Sequence, residues 1–314
     1  MIPSLVAYAA RGTLIALFAL AVQASLRQRG TATSRHLGLA LALAAMLIEP
    51  ALAAVVPAWR VVLPWGGGAL AGHASCAPAV AAAPWWAPLG WAPPVVWLLG
   101  AVLVTCKHIA GYRRAAALAG RTTELHEPAW KDLVREVAAH AGTPPPPVRV
   151  SDELGGPVVA GVWHPVVLLP RAALDWEHAR ARMTLLHELA HVLRRDGLTQ
   201  LLAHAVTVAH WFNPLAWYVA AQLRHERELA ADERVLQIGA SASDYAEHLV
   251  TTARALLGPP PQGFLAMASR SRLGDRIEAV LTFDSACRVR TLGRIGMVFA
   301  VGLASLTAAA LQPS

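Results

Sequence analysis

Four long apolar stretches divide the chain and predict helices that cross a membrane. They run over about residues 4–26, 37–59, 91–109 and 295–311. Each has about 17–23 residues, the length that an α-helix needs to cross roughly 30 Å of hydrocarbon. No basic residue precedes the first apolar run and no clear small-residue cleavage site follows it, which favours a span over a signal peptide.

Between the third and fourth stretches, the pattern changes to that of a folded domain. The predicted helices run over about residues 128–142, 172–197, 197–212 and 214–238. Residues 148–170 contain three β-rich pieces, VRV, PVVAGV and PVVLLP, which predict a small sheet of short strands. Asp175 favours the N-terminal turn of the second helix, and Gly197 can end it. The uncharged segment 197–223 either lies against the membrane or docks on the spans, or it is a buried core helix.

Composition agrees with a membrane protein. Hydrophobic residues make up 55% of the 314 residues and charged residues only 15%, against roughly 25% charged in typical soluble domains. The net charge is +7, but Lys and Arg collect on cytoplasmic loops of membrane proteins, so we expect no direct binding of nucleic acid. The three cysteines are far apart and odd in number, and they predict neither a disulfide framework nor a metal knuckle.

Basic residues predict the orientation of the spans. They lie at 27–35 after the first span, at 107–121 after the third and at 288–294 before the fourth, whereas residues 61–106 carry no Asp, Glu, Lys or Arg. The excess of Lys and Arg on cytoplasmic loops places the large region between the third and fourth spans in the cytoplasm. The predicted order is three spans with an outer loop at 60–90 within residues 1–111, a cytoplasmic domain at 112–290, and a fourth span with a short outer tail at 291–314.

The stretch LLHELAHVL carries a candidate metal centre. On a helix, His187 and His191 lie one turn apart on the same face, so both imidazoles can reach one ion. Glu188 is offset by one residue, so its carboxylate can address a water molecule on that ion without ligating it. Zinc lowers the pKa of such a water, and a carboxylate can take its proton for attack on a peptide carbonyl. The five-residue pattern alone does not exclude an ordinary amphipathic helix.

A catalytic zinc ion needs a third protein ligand, and the segment RELAAD offers Glu228. The spacing from His191 to Glu228 fits a helix, a turn at Asn213-Pro214 and an antiparallel return beside the two histidines. Asp232 lies one turn further along the same face and can accept a hydrogen bond from the free ring nitrogen of a ligand histidine. Alone, this segment is typical of a solvated helix with paired charges. Beside the first motif, it favours a metal site.

The substrate side of this candidate site stays open. PVVAGV or PVVLLP can supply an edge strand along which an extended substrate pairs, or can be internal structure. Tyr245 and His248 are candidates for stabilising an oxyanion, and the sequence does not select between them. His204 and His210 are interpreted as core or surface residues.

Together these segments resemble the BlaR/MecR-type integral-membrane metallopeptidases. The resemblance rests on HELAH, on HWFNPLAW at 210–217, on RELAAD at 227–232 and on VAGVWHPVVLLP before them, and it covers nearly all of the chain. It implies an α-helical membrane protein with four transmembrane helices in the bacterial inner membrane. The inserted cytoplasmic α+β domain would be a zincin-like metallopeptidase of the gluzincin type. The residues implied to bind Zn2+ are His187, His191 and Glu228, with Glu188 as general base.

The function implied by this resemblance is regulated proteolysis of a transcriptional repressor, which would make the protein an antirepressor in signal transduction. The family often has cysteine where this chain has Ala231, and we expect no C-terminal penicillin-binding sensor domain after the last span. Two alternatives remain: a quality-control or processing protease similar to the CAAX prenyl protease group, and a non-catalytic membrane receptor or scaffold. The substrate protein, the activating signal, self-cleavage and a homo-oligomeric state stay open.

Overall fold

The structure is a computed structural model that describes residues 2–27, 30–55, 59–60, 91–257, 264–283 and 311–312. The helices of these residues are α1 Ile2–Leu26, α2 Ala32–Val55, α3 Ala92–Gly120, α4 Pro128–His140, α5 His178–Arg194, α6 Asp196–Ala209, α7 Pro214–Gln237, α8 Ala242–Leu257 and α9 Phe264–Leu281. The strands are β1 Trp59–Arg60, β2 Thr123–Glu124, β3 Val148–Ser151, β4 Val158–Ala160, β5 Val166–Pro170 and β6 Leu311–Gln312.

Among the described residues, three helices are long and apolar enough to cross a membrane, within Leu5–Leu26, Ala32–Val55 and Ala92–Gly120. They correspond to the first three predicted spans. The second begins at Ala32 rather than at residue 37, and Trp59 lies in β1 instead of at its end. The third continues well past residue 109. The predicted outer loop after residue 60, and the predicted fourth span except its last residue, lie outside the described residues.

The spans α1 and α2 pack together and share a buried ion pair. Nη1 of Arg11 donates a hydrogen bond to Oε1 of Glu49 at 2.6 Å, and Glu49 is only 1% exposed. A lone charge is costly among apolar helices, so the pairing explains how both residues are accommodated within predicted spans. By contrast, α3 exposes a run of large apolar side chains, including Val96, Leu99 and Leu103, as expected of a helix facing lipid.

The hairpin of α6 and α7 docks on these spans. Ala203 and Val206 of α6 and Val219 of α7 are fully buried in one apolar cluster with side chains of α1 and α2. This decides between the two readings of the uncharged segment 197–223 in favour of docking on the spans. Asn213 caps α7 by accepting a hydrogen bond from the backbone N–H of Leu215, so the predicted turn is confirmed.

The tip of this hairpin is held deep within the group of spans. The ring of His210 stacks on that of Tyr8 with centroids 4.5 Å apart, and Nδ2 of Asn213 donates to Oγ1 of Thr13 at 3.1 Å. The indole N–H of Trp211 donates to the carbonyl oxygen of Trp97 in α3 at 3.0 Å. Thirteen helical residues separate Thr13 from the end of α1, about 20 Å at 1.5 Å per residue. The tip therefore lies among the apolar spans.

Four short strands form the sheet of the inserted domain. Their order is β2-β3-β5-β4, with β3 parallel to β5 and the other pairs antiparallel. The segment PVVAGV thus contains an edge strand and PVVLLP an internal one. Helices α4, α5 and α8 contribute to the core beside this sheet, where Val137, Leu169, Leu186 and Tyr245 are buried.

The backbone breaks at Arg195 between α5 and α6, and two predictions about the ends of α5 are wrong. The prediction that Gly197 ends a helix fails, because α5 ends at Arg194 and Arg195 adopts the left-handed conformation with φ of 52°. Gly197 instead lies in the first turn of α6, where a Cβ would lie 3.3 Å from the carbonyl oxygen of Gly161. Asp175 ends a short 3-10 turn rather than beginning the helix, since α5 begins at His178.

Candidate metal centre

Helices α5 and α7 bring together the three side chains predicted to form a metal site. The Nε2 atoms of His187 and His191 are 3.2 Å apart. Oε2 of Glu228 lies 3.7 Å from the first of these nitrogens and 3.9 Å from the second. These donor atoms lie within 4.8 Å of one another, a spacing at which the three residues could hold a metal ion.

The hydrogen bonds around the two imidazoles suit a cation. Nδ1 of His191 lies 2.7 Å from Oδ2 of Asp196, and Nδ1 of His187 lies 2.8 Å from the hydroxyl of Tyr245. With both Nδ1 atoms donating, the two Nε2 lone pairs face each other, an arrangement that a positive ion between them would stabilise. Ligands about 2.1 Å from a tetrahedral zinc ion are about 3.4 Å apart, close to the observed separation.

Glu228 is oriented by its neighbour in sequence. Nε and Nη2 of Arg227 both donate to Oε1 of Glu228, at 3.1 and 2.9 Å, which leaves Oε2 directed at the histidines. Burial would raise the pKa of Glu228, but His187, His191 and Arg227 outweigh it and hold that pKa well below its ordinary value. The carboxylate is therefore ionised and presents one oxygen to the site.

Asp232 lies on the Nδ1 side of His187. Its Oδ1 is 3.3 Å from Nδ1 of His187, and it accepts a hydrogen bond from the hydroxyl of Tyr245 at 2.7 Å. Burial alone would raise the pKa of Asp232, but the guanidinium of Arg276 holds it at about 2. Burial alone would also lower the pKa of His187, but the carboxylates of Asp232 and Glu228 raise it to about 9. The pocket therefore favours positive charge at the ligand positions.

Asp196 and Arg276 were not found from the sequence. Asp196 is 4% exposed and partners His191, while Arg276 of α9 donates two hydrogen bonds to Asp232, each at 2.7 Å. One sequence feature could have indicated a role for Asp196: it is an acidic residue directly before an otherwise uncharged segment. No comparable sign marked Arg276, because its place depends on how α9 packs against α7.

Tyr245, one of the two candidates for stabilising an oxyanion, is not placed to do so. Its side chain is fully buried, and burial and the carboxylate of Asp232 raise its pKa well above the ordinary value. The one hydroxyl proton therefore goes to Asp232 and is not free for substrate. His248 stacks on Tyr245 with ring centroids 6.0 Å apart, and burial lowers its pKa to about 4.

The remaining predicted residues lie as follows. Glu188 is 7% exposed on α5, directly after the first histidine. His204 and His210 contact the spans: His204 stacks on His108 of α3, with ring centroids 4.0 Å apart, and His210 is at the hairpin tip. Cys106 is a free, exposed cysteine, and the other two cysteines lie outside the described residues.

A helix pair that presents two histidines and a carboxylate supplies three protein ligands and leaves further positions open for water or substrate, as catalytic zinc sites do. With the apolar spans, this arrangement is typical of membrane proteins of the metallopeptidase class. Residues 70–280 match the family described as BlaR1 peptidase M56, about two thirds of the chain, and the chain belongs to that family.

A curated relative points the same way. Over 81 residues the chain is 33% identical to the regulatory protein BlaR1 of Bacillus licheniformis. The matched segment covers 26% of this chain and 14% of that protein, so the chain corresponds to a small part of the length of this relative. The predicted resemblance to BlaR/MecR-type membrane metallopeptidases is thereby confirmed at the level of the family.

Proposed function

We propose that the protein is a membrane-embedded zinc-dependent endopeptidase that cleaves a cytoplasmic or membrane-proximal protein. The observation that carries this proposal is the convergence of Nε2 of His187, Nε2 of His191 and Oε2 of Glu228. Two neutral imidazoles and one carboxylate are a donor set that suits zinc. Family membership supports the peptidase activity.

In this proposal the chain supplies both the ligands and the base. His187, His191 and Glu228 would hold the ion, which when bound lowers the pKa of a water molecule and polarises the substrate carbonyl. Glu188 follows the first ligand on α5 and is offset from the ligand face, so its carboxylate would take the proton of the attacking water and pass it to the leaving amine. Its burial, at 7% exposed, keeps that proton transfer away from bulk solvent.

The edge strand β4 is the proposed docking place for the substrate backbone. It pairs with β5 on one side only, and Val158 is 41% exposed. The loop after β4 contacts the start of α6, because the site of a Cβ on Gly197 lies 3.3 Å from Cα of Val162. An extended peptide added to β4 by main-chain pairing would thus run close to the turn that carries Asp196.

The arrangement of the helices supports a cytoplasmic active site. Arg35, in the basic segment after the first span, forms an ion pair with Glu226 at 2.9 Å, and Glu226 is two residues from Glu228. The basic corner and the metal centre therefore lie on the same side of the spans, and the excess of Lys and Arg on cytoplasmic loops assigns that side to the cytoplasm. We further propose a transcriptional repressor as substrate, because the matched relative is a regulatory protein.

Replacing the proposed base tests the mechanism. The Glu188→Gln variant should keep zinc at the parent's stoichiometry and lose proteolysis by at least about a hundredfold, because the amide cannot accept the proton. The measurement is a comparison of cellular protein fragments between cells with the parent and cells with the variant, together with metal analysis of the purified proteins. Glu247→Gln, an exposed change on α8, is the matched control.

The outcomes separate the candidate functions. Fragments that disappear in Glu188→Gln but persist in Glu247→Gln support the peptidase and identify its substrate. Identical fragments in all three strains, with zinc still bound, would instead favour the non-catalytic receptor or scaffold.

The third ligand has its own test. The Glu228→Ala variant should lose most of its bound zinc, because two imidazoles alone leave the ion weakly held. Undiminished zinc occupancy would show that another residue is the third ligand.

A further inference from the structure

Tyr245 lies between a proposed zinc ligand and the carboxylate behind it. The hydroxyl oxygen is 2.8 Å from Nδ1 of His187 and 2.7 Å from Oδ1 of Asp232. The direct distance from Nδ1 of His187 to Oδ1 of Asp232 is 3.3 Å. Each contact of the tyrosine hydroxyl is therefore shorter than the direct contact between the histidine and the acid.

The direction of each hydrogen bond follows from the groups present. Arg276 donates from Nε and Nη2 to the two oxygens of Asp232, so this carboxylate is ionised and can only accept. The single hydroxyl proton of Tyr245 must then point to Asp232. Consequently the hydroxyl oxygen accepts from Nδ1–H of His187, which fixes the tautomer that leaves Nε2 free for a metal.

We propose that Tyr245 is a positioning residue for the zinc ligand His187. It acts within a hydrogen-bond network that continues through Asp232 to Arg276. This inference rests on the proposed function, because it assigns His187 to the metal. The phenol ring is fully buried in the domain core, so the hydroxyl has a fixed place. The residues of this hydrogen-bond network lie on α5, α7, α8 and α9, so the orientation of the ligand depends on the packing of the whole domain.

The His191 side of the site is built differently. Nδ1 of His191 meets the carboxylate of Asp196 directly, at 2.7 Å. A carboxylate in direct contact withdraws the Nδ1 proton more strongly than a neutral hydroxyl does. The two ligand histidines are thus oriented by different groups, and removal of the Tyr245 hydroxyl should affect only one of them.

The test is zinc affinity of the full-length protein, measured by competition with a chelator of known affinity. Tyr245→Phe keeps the buried ring and removes the hydroxyl, and we expect the Kd for zinc to rise about 10- to 100-fold, the usual effect of losing such a partner. Tyr112→Phe is the matched control, because it also removes a hydrogen bond between a tyrosine hydroxyl and a histidine Nδ1, here that of His204 at 3.0 Å, away from the metal centre. Its Kd should equal that of the parent.

Two further measurements separate positioning from loss of structure. With cobalt in place of zinc, Tyr245→Phe should shift the visible absorption bands of the metal, whereas Tyr112→Phe should not. The unfolding midpoint of the metal-free protein reports any general damage. Arg276→Lys disturbs the same network from its other end while keeping the charge beside Asp232, and it should weaken zinc binding several-fold.

The outcomes decide between this inference and the proposed function. Parent-like zinc affinity and cobalt spectrum in Tyr245→Phe would overturn the positioning role, as would parent-like affinity in Arg276→Lys if the first variant does not fold. If either variant binds zinc like the parent while His187→Ala loses zinc, the positioning role fails but the proposed metal site is retained. If the parent binds no zinc, both the inference and the proposed function fail.

Discussion

Glu226 offers the sharpest test of how the metallopeptidase domain is attached to its spans. It lies on α7, faces the corner between α1 and α2, and its side chain is only 3% exposed. Nε of Arg35 donates to both of its oxygens, at 3.0 and 2.9 Å, and Nε2 of Gln23 donates to Oε1 at 3.1 Å. The change Glu226→Gln keeps the size of this side chain and removes its charge.

The expected cost follows from the burial of the partner. The side chain of Arg35 is 12% exposed, so the variant leaves a largely buried guanidinium without its counter-charge. Breaking a buried pair by removing one partner costs about 3–5 kcal/mol. Nη1 of Arg35 still donates to the carbonyl oxygen of Gly30 at 2.9 Å, and the new amide still accepts one bond. We therefore expect a loss of about 2–3 kcal/mol in the free energy of unfolding.

The assay is denaturant unfolding of the purified protein in detergent micelles. Glu153→Gln is the matched control, because it makes the same change in a pair with Arg121 whose side chains are 46% and 68% exposed, and it should cost under about 1 kcal/mol. Combining Glu226→Gln with Arg35→Gln should cost less than the sum of the two single changes, by at least about 1 kcal/mol. Equal losses for Glu226→Gln and Glu153→Gln, or strict additivity in the double variant, would refute the reasoning.

Two further predictions concern packing and the second ligand histidine. Gly100→Ala should cost about 1–3 kcal/mol, because a Cβ there would overlap the indole ring of Trp211 at the hairpin tip; Gly111→Ala, where nothing lies within 4 Å, should leave the unfolding midpoint in detergent unchanged. Asp196→Asn should raise the Kd for zinc about 10- to 100-fold, because an amide holds Nδ1–H of His191 less strongly than a carboxylate does. A chelator competition that gives the parental Kd would contradict this second prediction.

The three side chains of the candidate metal site were predictable as a group because their meeting depends on short-range geometry. His187 and His191 share a helix face by spacing alone, and Asn213-Pro214 is a strong local sign of a helix start that returns the chain to Glu228. The short strands were recognisable for the same reason, from β-rich composition broken by glycine and proline. Which of them lies at the sheet edge depends on a parallel crossover between β3 and β5, and local pattern does not fix that pairing.

The supporting residues of the site escaped prediction because their positions arise from long-range packing or unusual backbone. Asp196 reaches His191 only because Arg195 takes a left-handed conformation, which a non-glycine residue rarely adopts. The sequence instead favoured Gly197 as the end of the helix. The sequence makes Tyr245 a candidate site residue, but the direction in which its hydroxyl donates a hydrogen bond depends on Arg276, 31 residues further along the chain.

Helix α7 also shows why its charged segment was ambiguous. At 100° per residue, Glu226 and Glu233 lie on one face, and Glu228 and Asp232 lie on nearly the opposite face. A solvated helix also carries acids on several faces, so the sequence could not separate the two cases. In the structure Glu226, Asp232 and Glu233 are 2%, 1% and 8% exposed, which excludes the solvated alternative.

Each buried acid of α7 has a partner on a neighbouring helix. Oε2 of Glu233 accepts hydrogen bonds from the backbone N–H and the hydroxyl of Thr33 at the start of α2, at 2.9 and 3.1 Å. Glu226 pairs with Arg35, which also lies on α2. Asp232 pairs with Arg276 on the side of the metal centre. An ionised carboxylate is costly to bury without such a partner. These pairs therefore fix the rotation of α7 about its helix axis and its position along that axis. The helix that supplies the third proposed ligand is therefore held in position by contacts with the spans as well as with the helix that carries the histidines. The position of Glu228 at the metal centre thus depends on how α7 packs against the spans.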